Sequence, residues 1–144
     1  MKIVMMTLAL AVSMTFAFVI VGGLPQASDA GCTDTDLDGF CDSVDSCSIH
    51  QNALQIDSNS DGYGNTCDPD YTNDGVIGAP DLAILKTVFT LSQGAPGYDP
   101  DTDHNADNVT GAPDLATFKS FFPGAPGPSG LACANTNPVT NCSP

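Results

Sequence analysis

Arginine and glutamate are missing from this chain of 144 residues, and lysine occurs only at 2, 86 and 119. Without a basic patch nothing can neutralise a phosphate backbone, which excludes nucleic-acid binding. Without glutamate the acidity is not that of an ordinary solvated face or disordered tail, which would mix both acids and ignore spacing. No CxxC pair occurs, and the only histidines are His50 and His104, so a cysteine-ligated zinc site lacks its ligands. Helical and strand periodicity are both missing between 31 and 69. Beyond residue 30 the apolar residues are too sparse for a large core, so metals and disulfides must substitute for one.

What is present is aspartate, 17 of them against three lysines, for a formal net charge of -14. All but Asp29, Asp99 and Asp101 fall on one repeated register. The first run reads Asp34, Asp36, Asp38, Gly39, Asp42, Asp45, and the second Asp57, Asn59, Asp61, Gly62, Asn65, Asp68. The third reads Asp70, Thr72, Asp74, Gly75, Asp81, and the fourth Asp103, Asn105, Asp107, Asn108, Asp114. Each places oxygen side chains at loop positions 1, 3 and 5, a turn residue at 6 and a carboxylate at 12, the spacing with which a loop wraps a hard cation in oxygens. At position 6 of the fourth run Asn108 replaces glycine, and asparagine tolerates a positive φ.

The expected ligands are therefore those side chains, with backbone carbonyls at position 7 from Phe40, Tyr63, Val76 and Val109. Position 9 offers Asp42 and Asn65 in loops one and two, but only Gly78 and Gly111 in loops three and four, where a water must fill in. Calcium is favoured over magnesium because so many protein oxygens converge in flexible loops, with about four ions per chain. Loop one, with five aspartates, should bind tightest, within a range from about 10⁻³ M to about 10⁻⁶ M. Four divalent cations would cancel more than half of the net charge, so the metal-free chain is expected to be loose and the loaded chain folded.

No catalytic site is expected. The carboxylates are committed to metal, and no Ser–His–Asp set or phosphate-cradling glycine loop stands out. His104, at loop position 2, is expected to point into solvent, and His50 to be a satisfied turn histidine. Asn108-Val109-Thr110 matches a glycosylation acceptor but overlaps a metal loop.

Residues 1–30 read as an export signal: Lys2, an apolar stretch, then Ser28-Asp29-Ala30 before a cut at Gly31. The apolar run from Ile3 to Val21 is long for a signal, which keeps an uncleaved membrane anchor open, and Ala30-Gly31-Cys32 half-resembles a lipoprotein cleavage site. Six cysteines in an exported chain suggest three disulfides. Spacing favours Cys32–Cys41, Cys47–Cys67 and Cys133–Cys142, the second closing a loop worth about 3 kcal/mol of chain entropy.

The folded part divides into loops one and two at 31–69, loops three and four at 70–122, and a Pro/Gly-rich tail at 123–144 that reads as a linker or clasp ending in a disulfide loop. Between Asp45 and Asp57, the residues Cys47, Ile49, Asn52, Leu54 and Ile56 are expected to suffice for a small hydrophobic plug. Only Pro69 separates loop two from loop three, so no helix can enter loop three. Exiting helices follow loops three and four, with Pro80 and Pro113 in the first turn and Asp81 and Asp114 near the positive end of the helix dipole. Val76-Ile77-Gly78-Ala79-Pro80-Asp81-Leu82-Ala83 repeats 33 residues later as Val109-Thr110-Gly111-Ala112-Pro113-Asp114-Leu115-Ala116. The faces Leu82, Leu85, Phe89 and Leu115, Phe118, Phe122 are expected to bury each other.

On these residues, 32–68 resembles thrombospondin type 3 repeats, through the first two runs with Cys47, Asn52, Gln55, Tyr63, Gly64 and Cys67. That resemblance implies paired calcium loops braced by a disulfide such as Cys47–Cys67. Residues 70–122 look like a dockerin type I module, through Asp70, Asp74, Asp81, Leu82, Leu85, Lys86 and Asp103, Asn105, Asp107, Asp114, Leu115, Lys119. That resemblance implies calcium binding and attachment to a cohesin partner, although Ala79-Pro80 and Ala112-Pro113 stand where dockerins often carry a Ser/Thr pair.

The expected fold is thus small and mostly irregular, stabilised by calcium and disulfides, with two short α-helices in a dockerin-like, EF-hand-related pair and little or no β structure. The expected function is that of a secreted, calcium-binding structural or adhesive module without catalysis. The alternative is a calcium-dependent docking module for a cohesin-like partner, linked to polysaccharide breakdown. A membrane enters only if the N-terminal segment stays uncleaved.

Overall fold

The computed structural model describes residues 31–134 and Cys142; the expected signal or anchor at 1–30 lies outside the described residues. All three expected disulfides are present, Cys32–Cys41, Cys47–Cys67 and Cys133–Cys142. The described chain contains two α-helices, α1 (Ala79–Val88) and α2 (Ala112–Phe121), and three single 3-10 turns at Asp42–Val44, Asn65–Cys67 and Pro100–Thr102. Between them the backbone is irregular, with isolated bridges in place of strands. The result is a small, mostly irregular, disulfide-stabilised fold.

Each helix is 10 residues long, too short to hold itself together in water. Its start is fixed by the chain itself. Proline occupies the first turn, and the N–H of the residue just before the helix, Gly78 or Gly111, donates to Asp81 or Asp114 at 2.7 Å. Lys86 and Lys119 lie in the last turns, where the dipole favours them.

The duplicated units exchange their exits. After α1 the chain passes loop four, where Thr110 N–H donates to Leu91 O at 2.9 Å. After α2 it passes loop three, where Ile77 N–H donates to Gly124 O at 2.9 Å. Thr110 lies 33 residues after Ile77, and Gly124 lies 33 after Leu91, so the two contacts are one contact made twice, reciprocally.

The core is narrow. Ile77, Leu85 and Phe118 are fully buried, and Tyr71, Leu82, Leu115 and Phe121 pack around them. Burying three such side chains contributes about 2 kcal/mol each. Phe89 and Phe122 differ from expectation: each is the residue at which its helix turns extended, and each stays partly exposed, Phe122 stacking on Phe118 with ring centroids 5.8 Å apart. Of the expected plug, Cys47 and Asn52 are buried, but Ile49, Leu54 and Ile56 are not. All three are exposed, Leu54 at 74%. The interior between loops one and two is polar instead, built by Ser46, Asn52 and Gln55 around Asp45.

Residues 123–134 run back across the 31–69 half. Gly127 N–H donates to Cys67 O at 2.9 Å, Ser48 N–H to Pro128 O at 3.0 Å, and Gly130 N–H to Asp45 O at 2.8 Å. The approach is close enough that a Cβ on Gly130 would collide with the Asp42 carbonyl, which requires glycine there. The tail is therefore the clasp alternative of the sequence reading.

The two halves also meet directly. Asn65 Nδ2 donates to Pro100 O at 2.7 Å and Thr66 Oγ1 to His104 O at 3.1 Å. His50 and Phe121 rings pack 5.1 Å apart.

Candidate cation loops

One backbone signature recurs in all four loops. Position 4 is left-handed in each, at Leu37 (φ 64), Ser60 (φ 60), Asn73 (φ 54) and Ala106 (φ 59). Position 6 is left-handed as well, at Gly39 (φ 102), Gly62 (φ 94), Gly75 (φ 83) and Asn108 (φ 68). Asn108 adopts the positive φ that its side chain tolerates.

The position-1 aspartate organises each turn. Its carboxylate accepts the position-6 N–H, from Gly39 to Asp34 (3.1 Å), Gly62 to Asp57 (2.9 Å), Gly75 to Asp70 (2.6 Å) and Asn108 to Asp103 (2.8 Å). The position-5 aspartate accepts the position-7 N–H at 2.8–2.9 Å, so Phe40, Tyr63, Val76 and Val109 are held against Asp38, Asp61, Asp74 and Asp107. At position 3, Asp36, Asn59 and Asn105 each accept the position-5 N–H at 3.1–3.2 Å. Thr72 departs from this: its hydroxyl turns toward Asp70 Oδ1 (3.2 Å) and Asp81 Oδ1 (3.0 Å).

The loops separate into two kinds at their entrances. In loop one the Thr35 N–H and Oγ1 are both taken by Asp42, at position 9, each at 2.7 Å. In loop two Ser58 N–H goes to Asn65, again position 9, at 2.9 Å. Loops three and four have glycine at position 9, and there the loop-end aspartate takes over. In loop four His104 N–H, at position 2, donates to Asp114 Oδ1 (2.8 Å); in loop three the amide held is one residue later, Thr72 N–H at position 3, on Asp81 Oδ1 (3.0 Å). Asp81 and Asp114 are fully buried, 0% exposed. One carboxylate oxygen holds the loop entrance and the other holds the start of the helix. Asp81 Oδ1 also takes the Thr72 hydroxyl.

Loops one and two end differently. Asp45, 1% exposed, accepts Cys47 N–H (2.9 Å) and Gln55 Nε2 (2.7 Å) on Oδ1, while its buried Oδ2 has no partner. Asp36 Oδ2 in the same loop is also buried without a partner. Carboxylate oxygens of Asp34, Asp36 and Asp38 lie within 4.8 Å of one another, an acidic cluster able to bind a metal. Burial first, and then the Asp38 and Asp45 charges, raise the Asp36 pKa; burial likewise raises Asp45. Two orphaned anionic oxygens beside three gathered carboxylates fit a hard cation, because nothing else here compensates them.

In loop two, Asp61 and Asp68 are both nearly buried. Burial, with Asp61 close by, drives Asp68 well above the ordinary carboxylate range. Asp68 Oδ1 also accepts Asp70 N–H at 3.2 Å, so the end of loop two touches the start of loop three.

Three residues lie outside the repeated register yet belong to this surface. Asp101 is pushed up to about 7 by burial and by Asp99, Asp61 and Asp57, which places a fourth-loop approach residue beside loop two. Tyr98 OH donates to Asp103 Oδ2 at 2.9 Å, and burial together with that bond moves the phenol to about 12. His104 is not the solvated residue its loop position suggests. It is 3% exposed, stacked on Tyr71, with Nε2 2.8 Å from Tyr71 OH and Nδ1 against Asn65 O. Burial lowers its pKa. The sequence signal for Asp99 and Asp101 was their failure to fit the register; His104 had none, because its partners come from residues 65 and 71.

Among the described residues no helix is long and apolar enough to cross a membrane. No protein-family model matches the chain, and no curated protein or solved structure is found to be similar to it.

Proposed function

We propose that this protein is a secreted, non-catalytic structural or adhesive module whose four loops hold calcium. The observation that carries this reading is in loop one: Asp36 Oδ2 and Asp45 Oδ2 are buried anionic oxygens without partners, beside the gathered carboxylates of Asp34, Asp36 and Asp38. A divalent cation compensates such a group where a hydrogen bond does not. Recurrence of the same left-handed positions in loops two, three and four extends the reading to them. The cation would supply charge neutralisation and cross-linking of the loop, with no substrate chemistry. Three disulfides in a chain of this size belong to an oxidising compartment, which supports export.

Calorimetric titration of the oxidised chain with calcium, followed by circular dichroism with and without chelator, tests this. About four sites with gain of helix on loading is the expected result. Two sites would confine binding to one half, and no binding at millimolar calcium would sink the reading.

A second reading, docking to a cohesin-like receptor, draws on one observation. Ala79, Pro80 and Lys86, with their duplicates Ala112, Pro113 and Lys119, are all exposed along the two helices. Calcium-dependent recovery of a cohesin-like protein with the chain, lost on Lys86→Glu together with Lys119→Glu, would move this reading ahead of the first.

A further inference from the structure

The four loops share a turn but not a covering. Loop two is roofed by the C-terminal clasp. Ser129 Oγ donates to Gly62 O at 2.6 Å, and Cys142 N–H donates to Ser60 O at 3.0 Å. Ser60 and Gly62 are the two left-handed residues of that turn. A Cβ on Gly62 would run into Cys142 Sγ and Ala134, both buried, whereas a Cβ on Gly75, the equivalent glycine of loop three, would meet nothing within 4 Å. The far end of loop two is held too, by Gly127 N–H on Cys67 O and by the Cys47–Cys67 disulfide. Ser129 Oγ also accepts Leu131 N–H at 3.1 Å, which ties the clasp to itself, and Cys133–Cys142 brings the end of the chain back onto the turn.

We propose that residues 124–134 with Cys142 are an intramolecular strap that presets loop two, so that its turn stands formed before any cation arrives while that of loop three is left to form on loading. A left-handed serine is an unfavourable conformation that persists only where its surroundings over-determine it. The hydrogen bonds on Ser60 O and Gly62 O, with Cys142 against the glycine, do this for loop two. Binding to a preformed loop does not have to order it, so the strap raises loop-two affinity without contributing a ligand. The preset turn stands on the contacts above alone; its consequence for affinity rests on the calcium reading.

The test compares the oxidised chain with the double variant Cys133→Ser/Cys142→Ser and with Ser129→Ala. Amide exchange in chelator is read by NMR at Gly62 and Gly75, which make the same bond to the position-1 aspartate, at 2.9 and 2.6 Å. Gly62 should exchange at least about tenfold more slowly than Gly75, and both variants should erode that difference. In a calcium titration the Gly62 half-saturation should rise about tenfold in the double variant with Gly75 unmoved. Equal exchange at the two glycines, or protection of Gly62 unchanged by both variants, overturns the strap. If neither glycine responds to calcium while the exchange contrast holds, the calcium reading falls and the preset turn stands. Should the double variant fail to fold, Ser129→Ala decides, since it removes one hydroxyl and no cross-link.

Discussion

The 31–69 half and the 70–122 half carry the same loop pattern and use its last carboxylate for different ends. In loops three and four Asp81 and Asp114 fasten the loop entrance to the first turn of a helix. In loops one and two that fastening is done at position 9, by Asp42 and Asn65, and the carboxylates at position 12 are released. Asp45 is left with an orphaned oxygen, and Asp68 sits beside Asp61 at a raised pKa. The cause is one residue. A side chain at position 9 reaches the position-2 N–H; glycine cannot, and the loop-end carboxylate holds an entrance amide instead, at position 2 in loop four and at position 3 in loop three. A repeated ligand pattern is therefore not a repeated set of roles. The C-terminal half spends its loop-end acid on architecture, and the N-terminal half leaves it crowded or without a partner on one oxygen.

The largest effect that could break this contrast comes from Asp114→Ala. It strands the N–H groups of His104 and Gly111 in a fully buried place, and should cost about 3 kcal/mol with part of the helical circular dichroism, in chelator and in calcium alike. In the background Gly111→Asn, which supplies the position-9 side chain and has room for it at φ -136, the same change should cost about 1 kcal/mol less. Additive costs would show that position 9 does not govern the role of position 12.

Asp45→Asn should act with opposite signs in the two conditions. In chelator it removes a buried charge whose Oδ2 has no partner, and the melting temperature should rise by a few degrees, equivalent to about 1 kcal/mol. In calcium it deletes a ligand and should lower stability and affinity. A loss of stability in chelator would mean that Asp45 is already compensated without a cation.

The smallest effect is pH-dependent. Asp101 has a folded pKa of about 7 against an ordinary value of 3.8, so the folded state takes up its proton first. Its contribution to stability in chelator is present below about pH 3.8 and is lost as pH rises through about 7. Asp101→Asn should therefore be more stable than the parent at about pH 8, with the difference shrinking as pH falls below about 7 and gone only below about pH 3.8. His104 works against this trend in both proteins, since its lowered pKa costs stability as pH falls through its ordinary 6.5, and it cancels in the comparison. A parent that stays the more stable at pH 8 would show that Asp101 is paired rather than crowded.

The helices were legible because their signals are local: Pro80 and Pro113, the acids that follow, and a 33-residue repeat. The disulfides were legible because all three close short segments, at separations of 9, 20 and 9 residues. Position 6 of each loop could be read from glycine or asparagine. Position 4 could not, since leucine, serine and alanine say nothing of a left-handed backbone, which at Leu37 and Ser60 goes with a hydrogen bond to the position-1 carboxylate. The expected plug is met only in part. Ile49, Leu54 and Ile56 stay exposed, while the interior of that segment is built by amides serving Asp38 and Asp45 beside the buried Cys47.

The sequence by itself determined the register of the four loops, which cysteine pairings spacing favours, and where two helices start. Those features depend on neighbours within a few residues, or on charge and composition, which are properties of the chain as written. Tertiary structure alone decided which carboxylates are caps and which are orphans, that His104 is buried between two halves, and that the tail roofs loop two. Each of these depends on groups far apart in sequence meeting in space, such as Ser129 with Gly62 or Asn65 with His104, and no local pattern records such a meeting.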